Sequence, residues 1–149
     1  MILVANGVNL DLLGRREPEI YGSQTLKDLE SYMCKEWMRY DKEFSNKKNI
    51  PKLVFFQSND EGKFLESLTE KNYEAFILNA GAWSHTSLAL GDRCAALTAP
   101  IFEVHLSNLS KREEIRQKSF VAPHAKGVVY GAGFAGYAAA LRLVFDCLK

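Results

Sequence analysis

The sequence predicts an α/β protein: a five-stranded parallel sheet with helices on both faces, forming one domain over residues 1–149. Three observations lead there. Five short apolar runs recur along the chain, and most lack the strict alternation of a strand with one wet face, as strands buried on both sides should. Helix-like segments separate the runs, a pattern that calls for parallel strands joined by right-handed crossovers. The chain's 149 residues, 47% hydrophobic and 25% charged, suffice for a core that needs no disulfide or metal staple.

The strand-like runs are "MILVA" (1–5), "LVFFQ" (53–57), "AFILN" (75–79), "IFEVHL" (101–106) and "GVVY" (127–130). The first helix is the clearest, because Leu26, Leu29, Met33, Trp37 and Tyr40 recur at three- and four-residue intervals. Thr25 and Asp28 precede and open it as a capping box with Asp in place of Glu. Residues 63–71, 87–97, 111–118 and 136–148 form shorter helical candidates. The strand order expected of such a chain is the flavodoxin-like 2-1-3-4-5. The charged stretch 41–52 is then a surface connector.

Composition narrows the function. A net charge of +1 gives no electrostatic basis for a nucleic-acid or membrane surface, and the basic residues of "SKREEIRQK" alternate with Glu113 and Glu114 as on a solvated helix face. Cys34, Cys94 and Cys147 are widely spaced, with no C-x-x-C and no Cys/His cluster at metal-ligand spacing, so they read as reduced, mostly packed thiols and no metal is expected. No secretion signal and no membrane-spanning run is visible, and the expected location is the cytoplasm.

Ligands of open parallel sheets bind beyond the carboxyl ends of the strands. Here those ends are polar: Asn6-Gly-Val-Asn9, Gln57-Ser-Asn59, Asn79 followed by His85, and Glu103-Val-His105 before Ser107. Period-2 geometry puts Glu103, His105 and Ser107 on one side of the fourth strand, where a carboxylate can orient an imidazole. A second informative segment, "NGVNLDLLGRREPEIYGSQT", is longer than a usual strand-to-helix loop and carries Arg15, Arg16, Glu17 and Tyr21. It is either a surface loop pinned by an ion pair and an aromatic, or a lid in which Arg16 holds Tyr21 as a phenolate base. Lowering a tyrosine from about 10 to about 7 takes roughly 4 kcal/mol, for which a desolvated guanidinium is a credible source.

The glycines of "GVVYGAGFAGYAAALRLV" resemble a dinucleotide loop, yet Gly136 stands thirteen residues before Lys149, too few for a second strand or for the acidic residue about 20 positions on that a ribose calls for. They are expected to make a tight turn after the fifth strand and to let the last helix pack closely, with Ala138, Ala139 and Ala140 against the sheet.

Together, "NGVNLDLLGRREPEIYG", "FFQSNDEG", "LNAGAWSHTSLALGD" and "EVHLSNLSKREEIRQKSFVAPHAKGV" resemble the type II 3-dehydroquinate dehydratases over residues 2 to about 145. The resemblance implies dehydration of 3-dehydroquinate to 3-dehydroshikimate through an enolate, without metal or organic cofactor. It assigns Tyr21 as the base at C2, Arg16 as its cation, His105 as the acid for the leaving C1 hydroxyl and Glu103 as the group orienting it. Asn9 would place a water at the enolate oxygen. Asn79, Ser107 and the backbone of Leu106 would hold the substrate carboxylate, His85 and Arg116 its ring hydroxyls, and Arg112, on the same helix face as Arg116, would add a second cation near the base. Asp92 would reach a neighbouring subunit's site in a homo-oligomer, a dodecamer built from trimers. Two residues depart from the family pattern: Val8 replaces a proline beside Asn9, and Gly91 stands where the family often has arginine. A non-catalytic receiver or flavin carrier fits poorly, since Asn6 replaces a receiver's acidic pair and residues 6–14 hold no Ser or Thr.

Overall fold

The computed structural model describes residues 1–15, 23–40 and 50–149. Its centre is a five-stranded sheet of β1 (Ile2–Asn6), β2 (Leu53–Gln57), β3 (Ala75–Asn79), β4 (Ile101–His105) and β5 (Gly127–Tyr130). All pairings are parallel, in the order β2-β1-β3-β4-β5 expected from the sequence. The helices are α1 (Leu26–Met38), α2 (Glu61–Ser67), α3 (Trp83–Thr86), α4 (Leu88–Ala95) and α5 (Phe134–Leu148).

Alternation along the strands sorts the core into two layers. Ile2, Val4, Ala75, Ile77, Phe102 and Val104 pack against Leu29, Met33 and Trp37 of α1 and Leu141, Val144 and Phe145 of α5. Their neighbours Leu3, Ala5, Phe76, Leu78 and Ile101 pack against Phe64 of α2, Leu90 and Cys94 of α4, and Val121. β5 closes an edge and is not buried on both faces as expected, since Val128 and Tyr130 stay exposed.

Side-chain caps set three of the five described helix starts. Thr25 accepts from the Asp28 N–H while the Asp28 carboxylate accepts from the Thr25 N–H, the box read from the sequence. Asp60 and Ser87 likewise accept from the N–H groups of Lys63 and Leu90, starting α2 two residues before the expected 63 and α4 one residue after the expected 87. The expected helix at 111–118 is replaced by two 3₁₀ turns, Leu109–Lys111 and Glu114–Gln117. Asn108 caps the first turn, Arg112 between them is extended, and Gln117 donates its side-chain amide to the Leu109 carbonyl at 2.8 Å. That carbonyl is therefore satisfied without a helical ladder.

The glycine-rich turn follows the expectation in part. Gly131 and Gly133 adopt φ of 86° and 53°, the region that favours glycine. A Cβ on Gly136 would meet Val129 and Val104 only at 3.5 and 3.8 Å, so close packing does not demand glycine there. Of the three alanines, Ala140 is buried, Ala138 half-buried and Ala139 exposed, since a helix turns only part of any contiguous run toward the sheet. The cysteines are free: Cys94 is buried, its thiol pushed up to about 12 by desolvation, while Cys34 is exposed rather than packed. Among the described residues no helix is long and apolar enough to cross a membrane.

Candidate active site

The carboxyl ends of β1, β3 and β4 open into a cavity of about 120 Å³. Parallel register makes this a single polar rim, because Asn6 pairs with both Gln57 and Asn79. Asn9, Asn79, His85, His105, Leu106, Ser107, Arg112 and Arg116 all line the cavity. Glu103 lies one strand repeat behind His105. Asp92 is not among the lining residues and sits exposed on α4. Arg16 and Tyr21 lie outside the described residues, as do residues 41–49 of the connector.

Asn9 is the one described non-glycine residue with positive φ, at 66°. Asparagine tolerates that conformation better than most residues, and the Asn9 N–H donates to the Asn59 carboxamide at 2.8 Å. The Gln57 amide in turn donates to Asn59 and to the Gly7 carbonyl, each at 3.2 Å, tying the loop to the end of β2. A Cβ on Gly7 would stand 2.5 Å from the Ala80 carbonyl oxygen, and one on Gly81 2.8 Å from that of Val8. Backbone packing and the Asn59 bond therefore hold Asn9 where Val8 supplies no proline ring.

Beneath the rim lie two polar networks. On the α1/α5 side, the Tyr137 hydroxyl donates to Asn6 Oδ1 at 2.6 Å and accepts from Asn79 Nδ2 at 2.8 Å. The Gly81 N–H donates to Asn79 Oδ1 at 3.2 Å, which fixes the amide's orientation because an N–H can only donate. Tyr137 is fully buried, and desolvation pushes its phenol well above the ordinary tyrosine value, so it stays neutral.

The other network, on the α2/α4 side, contains the imidazoles. His105 Nε2 donates to Glu103 Oε1 at 2.8 Å, and Ser119 Oγ donates to the same oxygen at 2.7 Å. Glu103 is wholly buried, and its Oε2 has no partner among the described residues. His85 stacks on His105 with ring centroids 5.4 Å apart and an interplanar angle of 24°. His85 Nδ1 donates to the Lys118 carbonyl at 2.6 Å. Desolvation holds the His85 pKa below its ordinary value despite that bond, with His105 and Arg116 adding to the effect. A neutral His85 with Nδ1 protonated leaves Nε2 as an acceptor.

The cations enter from the two 3₁₀ turns. Arg112 and Arg116 are half-buried between exposed neighbours, so "SKREEIRQK" is not a solvated helix face; the non-helical path sends both guanidinium groups to the rim. Arg116 pairs with Glu113 at 2.8 Å. Hydrogen bonds from Glu113's own backbone and from Arg116 hold that carboxyl below its ordinary range.

The departure beside Asp92 is accommodated inside the chain: Gly91 faces the Phe120 carbonyl, 3.1 Å from where a Cβ would stand, and on the other side of Asp92, Arg93 donates to Thr69 Oγ1 at 2.8 Å. Ser119 and Tyr137 were not singled out from sequence. A tyrosine on the buried face of an apolar helix, needing a partner for its hydroxyl, was the available signal for Tyr137; nothing local marks Ser119.

Comparisons with known proteins identify the family and agree with the fold. The model of the family Dehydroquinase class II matches residues 1–145. A 3-dehydroquinate dehydratase of Bacillus licheniformis is 46% identical over 143 residues, covering 94% of this chain and 92% of the relative. The crystal structure of a type II dehydroquinase from Propionibacterium acnes superimposes with a TM-score of 0.83 at 35% identity, covering 97% of this chain and 95% of that one. The Butyrivibrio crossotus enzyme of the same type gives 0.81 at 33% identity over 96% and 95%. The chain belongs to the class II dehydroquinases, the family of the 3-dehydroquinate dehydratases it matches.

Proposed function

We propose that the protein dehydrates 3-dehydroquinate to 3-dehydroshikimate at this cavity, through an enolate. The observation that carries the reading is the gathering of Asn9, Asn79, His85, His105, Ser107, Arg112 and Arg116 around one cavity at the end of the sheet.

In this mechanism Tyr21, ionised beside Arg16, takes the C2 proton, and the C2–H electron pair moves into an enolate whose oxygen a water on Asn9 polarises. Stabilisation aimed at charge that develops during reaction lowers the barrier more than equal binding of substrate would. The enolate collapses by expelling the C1 hydroxyl, which leaves as water with a proton from His105. With Nε2–H engaged by Glu103, the transferred proton is the one on Nδ1 of the doubly protonated ring, and the neutral ring left behind keeps its Nε2–H on Glu103. Proton and hydroxyl leave from opposite faces of the ring, so the acid and the base must be separate groups.

Asn79 Nδ2, Ser107 and the Leu106 backbone hold the carboxylate. The neutral His85 accepts from a ring hydroxyl through Nε2, and Arg116 donates to another. Arg112 is a second cation near the base; it reaches the rim from an extended residue rather than from the helix face expected of it. Asp92 serves a neighbouring subunit in a dodecamer built from trimers, a role compatible with its exposure on α4, away from its own cavity. Incubation with 3-dehydroquinate should produce the ultraviolet absorbance of the conjugated product, and Tyr21→Phe should abolish it. Full activity of Tyr21→Phe would overturn the assignment of the base, and an active monomer in light scattering that of the assembly.

A further inference from the structure

The short segment 118–120 bonds to one cavity imidazole directly and reaches the other through Glu103, without lining the cavity. The Lys118 carbonyl accepts from His85 Nδ1. One residue later, Ser119 Oγ lies 2.7 Å from Glu103 Oε1 and accepts from the backbone N–H groups of Val121 and Ala122, each at 3.0 Å. Those two bonds occupy the hydroxyl's lone pairs, so its proton can go only to Glu103. Next, the Phe120 N–H donates to the Ser84 carbonyl at 2.7 Å, and Phe120 packs on Gly91 with its Cβ 3.2 Å from where a glycine Cβ would be.

Glu103 sits in the protein interior with one oxygen unpartnered among the described residues. Its other oxygen takes both described hydrogen bonds, from Ser119 and from His105. Without Ser119 nothing described would stop the carboxylate from rotating about its last torsion and offering His105 a different oxygen at a different angle. A carboxylate's terminal torsion is broad, so packing alone does not hold it.

We propose that Ser119 is a positioning residue for the Glu103–His105 pair, and that segment 118–120, seated on Gly91, fixes the orientation and tautomer of both imidazoles. The kinetic part rests on the reading of His105 as the acid; the geometric part does not. Removing a hydrogen bond to a charged group while leaving substrate contacts intact lowers the chemical step more than binding.

The test is Ser119→Ala, with Ser119→Cys as a second loss variant if the alanine protein does not fold. Ser119→Thr serves as rescue, and Gly91→Ala as a variant that presses on Phe120 from outside the network. Two measurements are made on each: steady-state kinetics with 3-dehydroquinate, and the downfield proton resonance of His105 Nε2–H in substrate-free protein, assigned by its loss in His105→Ala. Loss of the hydroxyl should lower kcat about tenfold, change KM less than about twofold, and shift or broaden the resonance. Threonine should restore both within about threefold, and Gly91→Ala should lower kcat by about two- to threefold. An unchanged resonance in a folded variant lacking the hydroxyl would overturn the inference, as would threonine failing to restore what alanine lost. A fully active His105→Ala protein would instead overturn the acid assignment while leaving the resonance prediction intact.

Discussion

The two networks below the cavity lie on opposite faces of one sheet and differ in kind. On the α1/α5 face, Asn6, Tyr137 and Asn79 are neutral and link hydroxyl to amide in one unbroken chain of hydrogen bonds. On the α2/α4 face, a buried carboxylate holds an imidazole through one oxygen and leaves the other without a described partner. Burying a carboxylate costs several kcal/mol unless its charge and lone pairs are well matched, whereas a closed neutral network costs little. The difference teaches that the neutral side is built to stay still, while the charged side carries a cost that the proposed proton transfer from His105 would explain.

The comparison is broken most severely from the charged side. His105→Ala should reduce kcat by about a thousandfold, equivalent to roughly 4 kcal/mol of barrier, and should also lower the melting temperature, because buried Glu103 keeps only its bond from Ser119; steady-state assay and thermal melting check the two halves.

From the neutral side stability should fall while the chemical step is nearly kept. Tyr137→Phe strands the Asn6 carbonyl and one Asn79 N–H in the interior, so stability should drop by about 2–4 kcal/mol in denaturant titration. KM should rise several-fold as Asn79 loses one of the two bonds that hold its amide, and kcat should change little. A variant as inactive as His105→Ala would erase the distinction.

The contrast sharpens with pH. Folding depresses the pKa of His85, so as pH falls below about 6.5 the unfolded chain binds a proton that the folded protein refuses, and stability is lost. Above that pH both states are neutral and the contribution is flat. Asp28 and Glu113, also depressed, lose their contributions only in the lower carboxylate range. Melting temperature should therefore fall between about pH 7 and pH 5, and His85→Asn, which keeps a donor for the Lys118 carbonyl, should remove that slope. The smallest effect belongs to a position beside Tyr137 that joins neither network: Gly136→Ala should stabilise α5 by up to about 1 kcal/mol in the same titration, because its new methyl meets only ordinary contacts.

Much of this architecture was legible in the sequence because the governing signals are local. Apolar runs marked all five strands to within a residue, and the Thr25–Asp28 box marked the start of α1. The 111–118 segment was misread because its helix-compatible residues carry no sign that Gln117 would satisfy the Leu109 carbonyl instead. Asn9, Asn79, His85, His105 and Ser107 could be named because polar groups at the ends of parallel strands must share one rim, whereas Leu106, Arg112 and Arg116 were named only through the family resemblance. Ser119 and Tyr137 escaped because their value lies in partners 16 and 131 positions away, Glu103 and Asn6. Such pairings have no local pattern.

The register of β1 carries a further consequence, for folding. Asn6 sits opposite both Gln57 and Asn79 and bonds to Tyr137 only if β1 docks in this alignment. A slip of one residue would turn Asn6 to the other face, bring Gly7 to its place and leave the Tyr137 hydroxyl without an acceptor in the core. A misaligned chain would thus keep ordinary strand content yet lack both a stable centre and a rim to bind substrate. Assembly of the site and proofreading of this interior strand are one event, and recovered activity during refolding is a direct clock for correct alignment.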